Sequence, residues 1–211
     1  MKKLWKIVLV GWLGCCLPVY AAEFCQTLKT CQRQAKAGSA VAQAEMGLRY
    51  QTGEGVRQNV EKALYWFKKA AKQGNPIGLE EVGTAYYRGD GVARNNQKAI
   101  EWWKQAAEKD KSSAMWWLGY IYSRENDGVT IDKEEACNWF KRSAELGGDQ
   151  WVNGNNPSYY ELAACYERGE GIAKDNAKAI YWFEKAKEHA GDEEIDEIEE
   201  RLEKLRKAES Q

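Results

Sequence analysis

Proline is scarce in this 211-residue chain, with three in all. Inside a helix proline removes a hydrogen bond and clashes with the preceding turn, so its scarcity suits a helical chain. Phenylalanine is also scarce, four residues against ten Trp and eleven Tyr. Aromatic bulk therefore comes mostly in side chains with an apolar body and a polar tip, which suit half-buried surfaces. There is one histidine, His189, and no Cys-x-x-Cys pair, so a zinc site lacks its usual ligand set. No metal site and no cofactor is expected. Positive charge is not in surplus: 31 Lys and Arg stand against 32 Asp and Glu. Nucleic-acid affinity comes mainly from neutralising phosphates, and a mildly acidic chain without a basic block is poorly made for it. Nor is there a long apolar run. Ile7 to Leu17 is short of the roughly 20 residues that span a bilayer as a helix.

What is present begins with an address. Lys2, Lys3 and Lys6 precede that apolar run, and Val19-Tyr20-Ala21 follows it with small residues at the −3 and −1 positions. This is the form of a secretory signal peptide, residues 1–21, cleaved after Ala21. Leu13-Gly14-Cys15 offers lipid attachment at Cys15 as an alternative, with Trp12 where a lipobox wants Leu. The expectation is a periplasmic protein with no membrane insertion after cleavage. Losing three lysines takes the formal charge from −1 to −4. Cys25, Cys31, Cys137 and Cys165 then remain, an even number suited to an oxidising compartment, with three pairings open.

The rest is repetitive. Leu48-Arg49-Tyr50-Gln51-Thr52-Gly53-Glu54-Gly55-Val56 recurs as Ala85-Tyr86-Tyr87-Arg88-Gly89-Asp90-Gly91-Val92 and as Cys165-Tyr166-Glu167-Arg168-Gly169-Glu170-Gly171-Ile172. Each is followed by a second block: Lys62 to Phe67, Lys98 to Trp103 and Lys178 to Phe183. A divergent copy holds Tyr122, Gly128-Val129 and Glu135 to Phe140. The marker tyrosines Tyr50, Tyr86, Tyr122 and Tyr166 give a 36-residue unit in four copies, the third carrying an insertion. Each unit reads as two helices. Gly53 is a helix stop able to take the left-handed conformation. Ala63, Leu64, Phe67, Ala70 and Ala71 mark one helical face. Gly47, Gly83 and Gly119 stand inside the first helices, where glycine costs up to about 1 kcal/mol against alanine. Their recurrence predicts close helix packing.

This pattern resembles the Sel1-like repeat, a relative of the tetratricopeptide repeat. Leu118-Gly119 with Tyr122, Gly53 with Gly55-Val56, and Lys62 to Ala71 carry the resemblance, which covers about residues 35–190. Copy three departs from it, with Glu125 and Asp127 in place of the paired glycines, and copy four has Ala163 in place of the helix glycine. The resemblance implies an all-α superhelix, a solenoid of helix-turn-helix repeats over 38–190. A capping helix is expected at 22–37, with Phe24 to Ala37 helical, and another at 191–211, where Ile195, Ile198, Leu202 and Leu205 share one face. It also makes the helices of Cys137 and Cys165 neighbours, which favours Cys137–Cys165. The remaining bond, Cys25–Cys31, requires Cys25 to lie ahead of the helix, because six residues along a regular helix are too far apart.

Chemistry is hard to find. His189 reads as a cation near a helix end. Glu193-Glu194 and Glu199-Glu200 read as a solvated surface. Some cysteine-rich relatives are linked to β-lactams, but this chain has no Ser-x-x-Lys. The Trp and Phe pairs Trp66-Phe67, Trp102-Trp103, Trp139-Phe140 and Trp182-Phe183 read as inter-helix core. The informative positions are those that do not repeat. In this family the first helices line the concave face, and three rows of variable positions cross it. They are Glu45, Glu81, Trp117, Glu161; then Leu48, Thr84, Tyr120, Ala164; then Thr52, Arg88, Arg124, Arg168. Trp, Tyr and Arg dominate binding hot spots, and arginines offer planar forks for carboxylates. Glu81, Arg88, Trp117, Tyr120, Arg124, Glu161 and Arg168 are therefore the expected partner-binding residues of a non-enzymatic adaptor. The bland alternative has Trp116 in the core and the arginines paired with Glu81 and Glu161. Exported relatives include immunity proteins against toxic effectors, which makes an effector a candidate partner, and weak β-lactam binding or hydrolysis is the enzymatic alternative. The inserted loop from Trp151 to Pro157 is a second candidate surface.

Overall fold

The computed structural model describes residues 25, 27–147 and 156–210. The expected signal peptide and most of the inserted loop, including Trp151, lie outside the described residues. Among those described there are ten α-helices and no strand, only an isolated bridge between Asn126 and Val129. Four pairs of helices correspond to the four repeats: α2 (Ala40–Thr52) with α3 (Val60–Ala71), α4 (Pro76–Arg88) with α5 (Asn96–Ala107), α6 (Ser112–Ser123) with α7 (Lys133–Glu145), and α8 (Ser158–Arg168) with α9 (Asn176–Lys187). Before them lies α1 (Leu28–Lys36), and after them α10 (Asp192–Glu209). Each helix packs on the next in sequence, so the chain is an all-α solenoid. No described helix is long and apolar enough to cross a membrane.

The repeat motif has a local reason at each point. Every second helix opens on a polar cap: Asn59, Asn95, Asp132 and Asp175 each accept a hydrogen bond from the backbone N–H three residues on. The same four residues donate their own N–H to the carbonyl of the marker tyrosine, at 2.8 to 3.0 Å. The tyrosine thus fixes where the returning helix starts. Its ring is covered by the lysine that heads the second block, Lys62 over Tyr50, Lys98 over Tyr86 and Lys178 over Tyr166, 5.3–5.5 Å from the centroid. In copy three Glu135 stands in that lysine's place and instead accepts a hydrogen bond from Trp139 Nε1 at 2.8 Å. Tyr122 is covered by Lys104 of the preceding repeat.

Three first helices end on a left-handed glycine, Gly53, Gly89 and Gly169. Copy three has no glycine there. Its helix stops at Ser123, Arg124 is extended, and Asn126 Nδ2 donates to the carbonyls of Ile121 and Arg124. The close approach expected at the helix glycines is present. A Cβ on Gly83 would sit 2.6 Å from Trp103 Cδ1, and one on Gly119 would sit 2.5 Å from Phe140 Cε1.

The apolar core runs through the stack, with Phe67, Trp103, Phe140 and Phe183 each buried between paired helices. Polar groups also tie helices together, within repeats one and three and between repeats three and four. Gln73 Nε2 donates to Gln43 Oε1, Ser143 Oγ to the Ser112 carbonyl, and Asn156 Nδ2 to the Ser143 carbonyl. Two disulfides tie the ends. Cys137 and Cys165 are bonded between α7 and α8, with Cα atoms 6.1 Å apart. Cys25 and Cys31 are bonded with Cα atoms 4.9 Å apart. The helix expected from Phe24 begins only at Leu28, because Thr27 forms a capping box with Thr30 there. Cys25 therefore lies ahead of the helix, as its bond requires. At the other end Ile198, Leu202 and Leu205 of α10 are buried.

Candidate functional site

The first helices form one face of the stack, where α2 and α4 touch directly. Its centre is aromatic. Trp117 on α6 lies flat against buried Trp103 of α5, with centroids 5.3 Å apart and planes 8° apart. Trp116 meets Trp117 edge-on at 4.9 Å, and Tyr120 lies 5.1 Å from Trp116 and 5.7 Å from Trp117. Tyr87 on α4 closes the group from the neighbouring repeat, 5.6 Å from Trp117 and 6.4 Å from Tyr120. Burial first, and then the bonded Tyr120 phenol, push the Tyr87 phenol above its ordinary pKa. Tyr87, Trp116, Trp117 and Tyr120 are all half-buried, so their rings are held by packing while part of each faces solvent.

Charge surrounds these rings. The Arg124 guanidinium lies 3.7 Å from the Tyr120 centroid, and the Arg94 guanidinium 5.6 Å from that of Tyr87. Arg124 Nη2 reaches Glu161 Oε1 at 4.0 Å, a loose pair. Arg168 pairs with Glu170 at 3.6 Å. Arg88 is exposed and makes no ion pair among the described residues. Glu81 accepts a hydrogen bond from Gln51 Nε2 at 2.8 Å. Its burial raises the carboxyl above the ordinary carboxylate value, against the pull of that bond. Burial does the same to Glu161, against the charges of Arg124 and Arg168.

The structure therefore brings Trp117, Tyr120, Arg124 and Glu161 together, whereas Glu81 on α4 lines a cleft with Gln51, Val60 and Leu64 of α2 and α3, and exposed Arg88 ends α4 one residue after Tyr87. Arg168 is turned to its own turn residue, Glu170. The expected second row does not stay open. Thr84 is buried and donates to the Glu80 carbonyl, and Ala164 is buried, so only the longer Tyr120 and half-buried Leu48 reach out from it. The arginine pairing of the bland alternative holds only for Arg124 with Glu161. Trp116 is half-buried rather than core. Tyr87 and Arg94 belong to the cluster and were not singled out from sequence. Tyr87 sits one residue past the marker tyrosine, and only the helix rotation turns it to this face.

Catalytic groups do not converge here. All four described cysteines are in disulfides, which leaves no thiol nucleophile among them. His189 is exposed just past the end of α9. Among the described residues no group of three or more His, Cys, Asp or Glu is placed to hold a metal ion. A second cleft, of about 260 Å³, lies between α8, α9 and α10, lined by Tyr160, Glu161, Ala186, Glu194, Glu197 and Ile198 among others.

The family model of the Sel1 repeat matches four times, at residues 40–75, 76–111, 112–148 and 156–190. No curated protein matches the chain. A Sel1 repeat protein from Oxalobacter formigenes is 32% identical over 77% of this chain and 63% of its own, with a TM-score of 0.70. The protective antigen c5321 of uropathogenic Escherichia coli is 33% identical over 78% of this chain and 34% of its own, with a TM-score of 0.69. This chain spans less than two thirds of either relative's length. The immunity protein Pa5087 of Pseudomonas aeruginosa, at 16% identity and a TM-score of 0.43 over 76% of this chain and 72% of its own, is too distant to carry an argument. With four matched repeats and an all-α stack of paired helices, this chain belongs to the Sel1 repeat family.

Proposed function

We propose that this chain is an exported, non-enzymatic scaffold that holds a protein or peptide partner on its first-helix face. A Sel1-repeat scaffold is consistent with protein–protein interaction. The observation that carries the reading is the half-buried aromatic group Tyr87, Trp116, Trp117 and Tyr120, ringed by arginines. Rigid aromatic surface flanked by guanidinium groups is the composition of binding hot spots. In this reading Trp117 and Tyr120 are the anchors. Arg88 and Arg124 set orientation, and Glu161 holds Arg124 near the rings. The basic start, apolar run and Ala21 at the N-terminus support a periplasmic address, as do two disulfides. A toxic effector is the narrowest form such a partner could take, and it would show as one tight complex.

The test is capture from a periplasmic extract with the protein as bait and Trp117→Ala/Arg124→Glu as control. A dominant partner held by the wild type and lost by the control supports the site. Equal capture by both removes it and redirects attention to the loop at Trp151.

A further inference from the structure

Resting on that proposed reading, we infer that the partner presents an extended acidic segment, with carboxylates at Arg88 and Arg94 and a large apolar side chain on the Trp117–Tyr120 surface. The charge on this face is unevenly exposed. Arg88 and Arg94 are exposed and make no ion pair among the described residues. Arg124 has 46% of its side chain exposed, and its one ion pair is the 4.0 Å contact with Glu161. The carboxylates are the withdrawn members: 25% of the Glu161 side chain is exposed, and half-buried Glu81 is already bonded to Gln51. Of the acidic turn residues nearby, half-buried Asp90 and exposed Glu125 make no ion pair with these arginines.

What a ligand meets is therefore the guanidinium groups of Arg94 and Arg124 over an apolar floor, with exposed Arg88 next in sequence to Tyr87. A guanidinium lying on an aromatic ring keeps its edge N–H donors free, and two such donors match the two oxygens of a carboxylate. Arg124 on Tyr120 and Arg94 on Tyr87 are both placed this way, from adjacent repeats. The geometry suits a chain that crosses from α4 to α6, with acidic residues on either side of an apolar one. A basic segment would face like charges at the rings, which favours the acidic partner by repulsion as well as attraction.

Selection of random twelve-residue peptides displayed on phage against the full chain tests this. The expected binders carry two or more Asp or Glu flanking a Trp, Phe or Leu. Their affinity, read by fluorescence anisotropy, falls by about 100-fold or more with Arg88→Gln/Arg94→Gln, since each charge-assisted bond to a carboxylate is worth about 10-fold or more. It weakens with salt and is unchanged by Arg33→Gln on α1. Binders enriched in Lys and Arg, binders indifferent to the arginine substitutions, or no binders at all overturn the acidic inference. The Trp117→Ala variant separates this from the broader reading. Non-acidic binders that need Trp117 keep the first-helix site while refuting the acidic partner. Binders that ignore Trp117 refute both.

Discussion

Replacing Cys137 and Cys165 together by alanine removes the side-chain cross-link between α7 and α8. The expected loss follows from the chain length closed. A cross-link over 28 residues restricts the unfolded chain by about 3.6 kcal/mol, and the six-residue Cys25–Cys31 link by about 2.2 kcal/mol. Both cysteines of the longer link are buried, so lost sulfur packing adds to its cost. With a urea slope of about 2–3 kcal/mol per molar, the midpoint should fall by about 1.2–1.8 M for Cys137→Ala/Cys165→Ala. For Cys25→Ala/Cys31→Ala, at the end of the stack, it should fall by less. Urea titration followed by far-UV circular dichroism and Trp fluorescence measures both. The reasoning fails if the 28-residue link contributes no more than the six-residue one, or if breaking it leaves the midpoint in place.

Gly83→Ala gains helix propensity of about 1 kcal/mol but drives a Cβ to 2.6 Å from Trp103, so a net loss of about 1–2 kcal/mol is expected by thermal melt. Ala163→Gly, at the same repeat position but with alanine already accommodated, should also lose, by about 1 kcal/mol. Burial raises the Glu81 carboxyl in the folded state, so folded protein binds this proton more tightly than unfolded chain. Stability should then fall as pH rises from the ordinary carboxylate value through the raised one. Glu81→Gln should flatten that part of the stability–pH profile, and an unaltered profile would contradict it. Nitrocefin incubated with pure protein should show no turnover above buffer, and turnover would reopen the enzymatic reading.

The fold was legible because a 36-residue period repeats its punctuation. The left-handed Gly53 and Gly89, the polar caps Asn59 and Asn95, and the marker tyrosines all act locally, so each leaves a mark in sequence. The helix glycines were legible for the same reason, each facing an aromatic from the next helix. The site was legible only in part. Trp117 and Tyr120 stood out as departures from their rows. Thr84 and Ala164 share Tyr120's register yet are buried, because side-chain length decides what reaches past a crowded helix face. Tyr87 and Arg94 were invisible because their relation to Trp117 and Tyr120 spans two repeats and depends on how α4 rotates against α6. Arg168 looked equivalent to Arg88 and Arg124, but Glu170 two residues later takes it up.

The central claim is that the half-buried rings of α4 and α6 hold the partner. It is tested most directly by the affinity of the captured partner for wild-type protein, Trp117→Ala and a conservative Trp117→Phe, with circular dichroism confirming that all three are folded. Loss of binding by about 10-fold or more in the alanine variant, with partial recovery in the phenylalanine variant, is the predicted result. Equal affinity for all three would place the partner elsewhere and contradict the account.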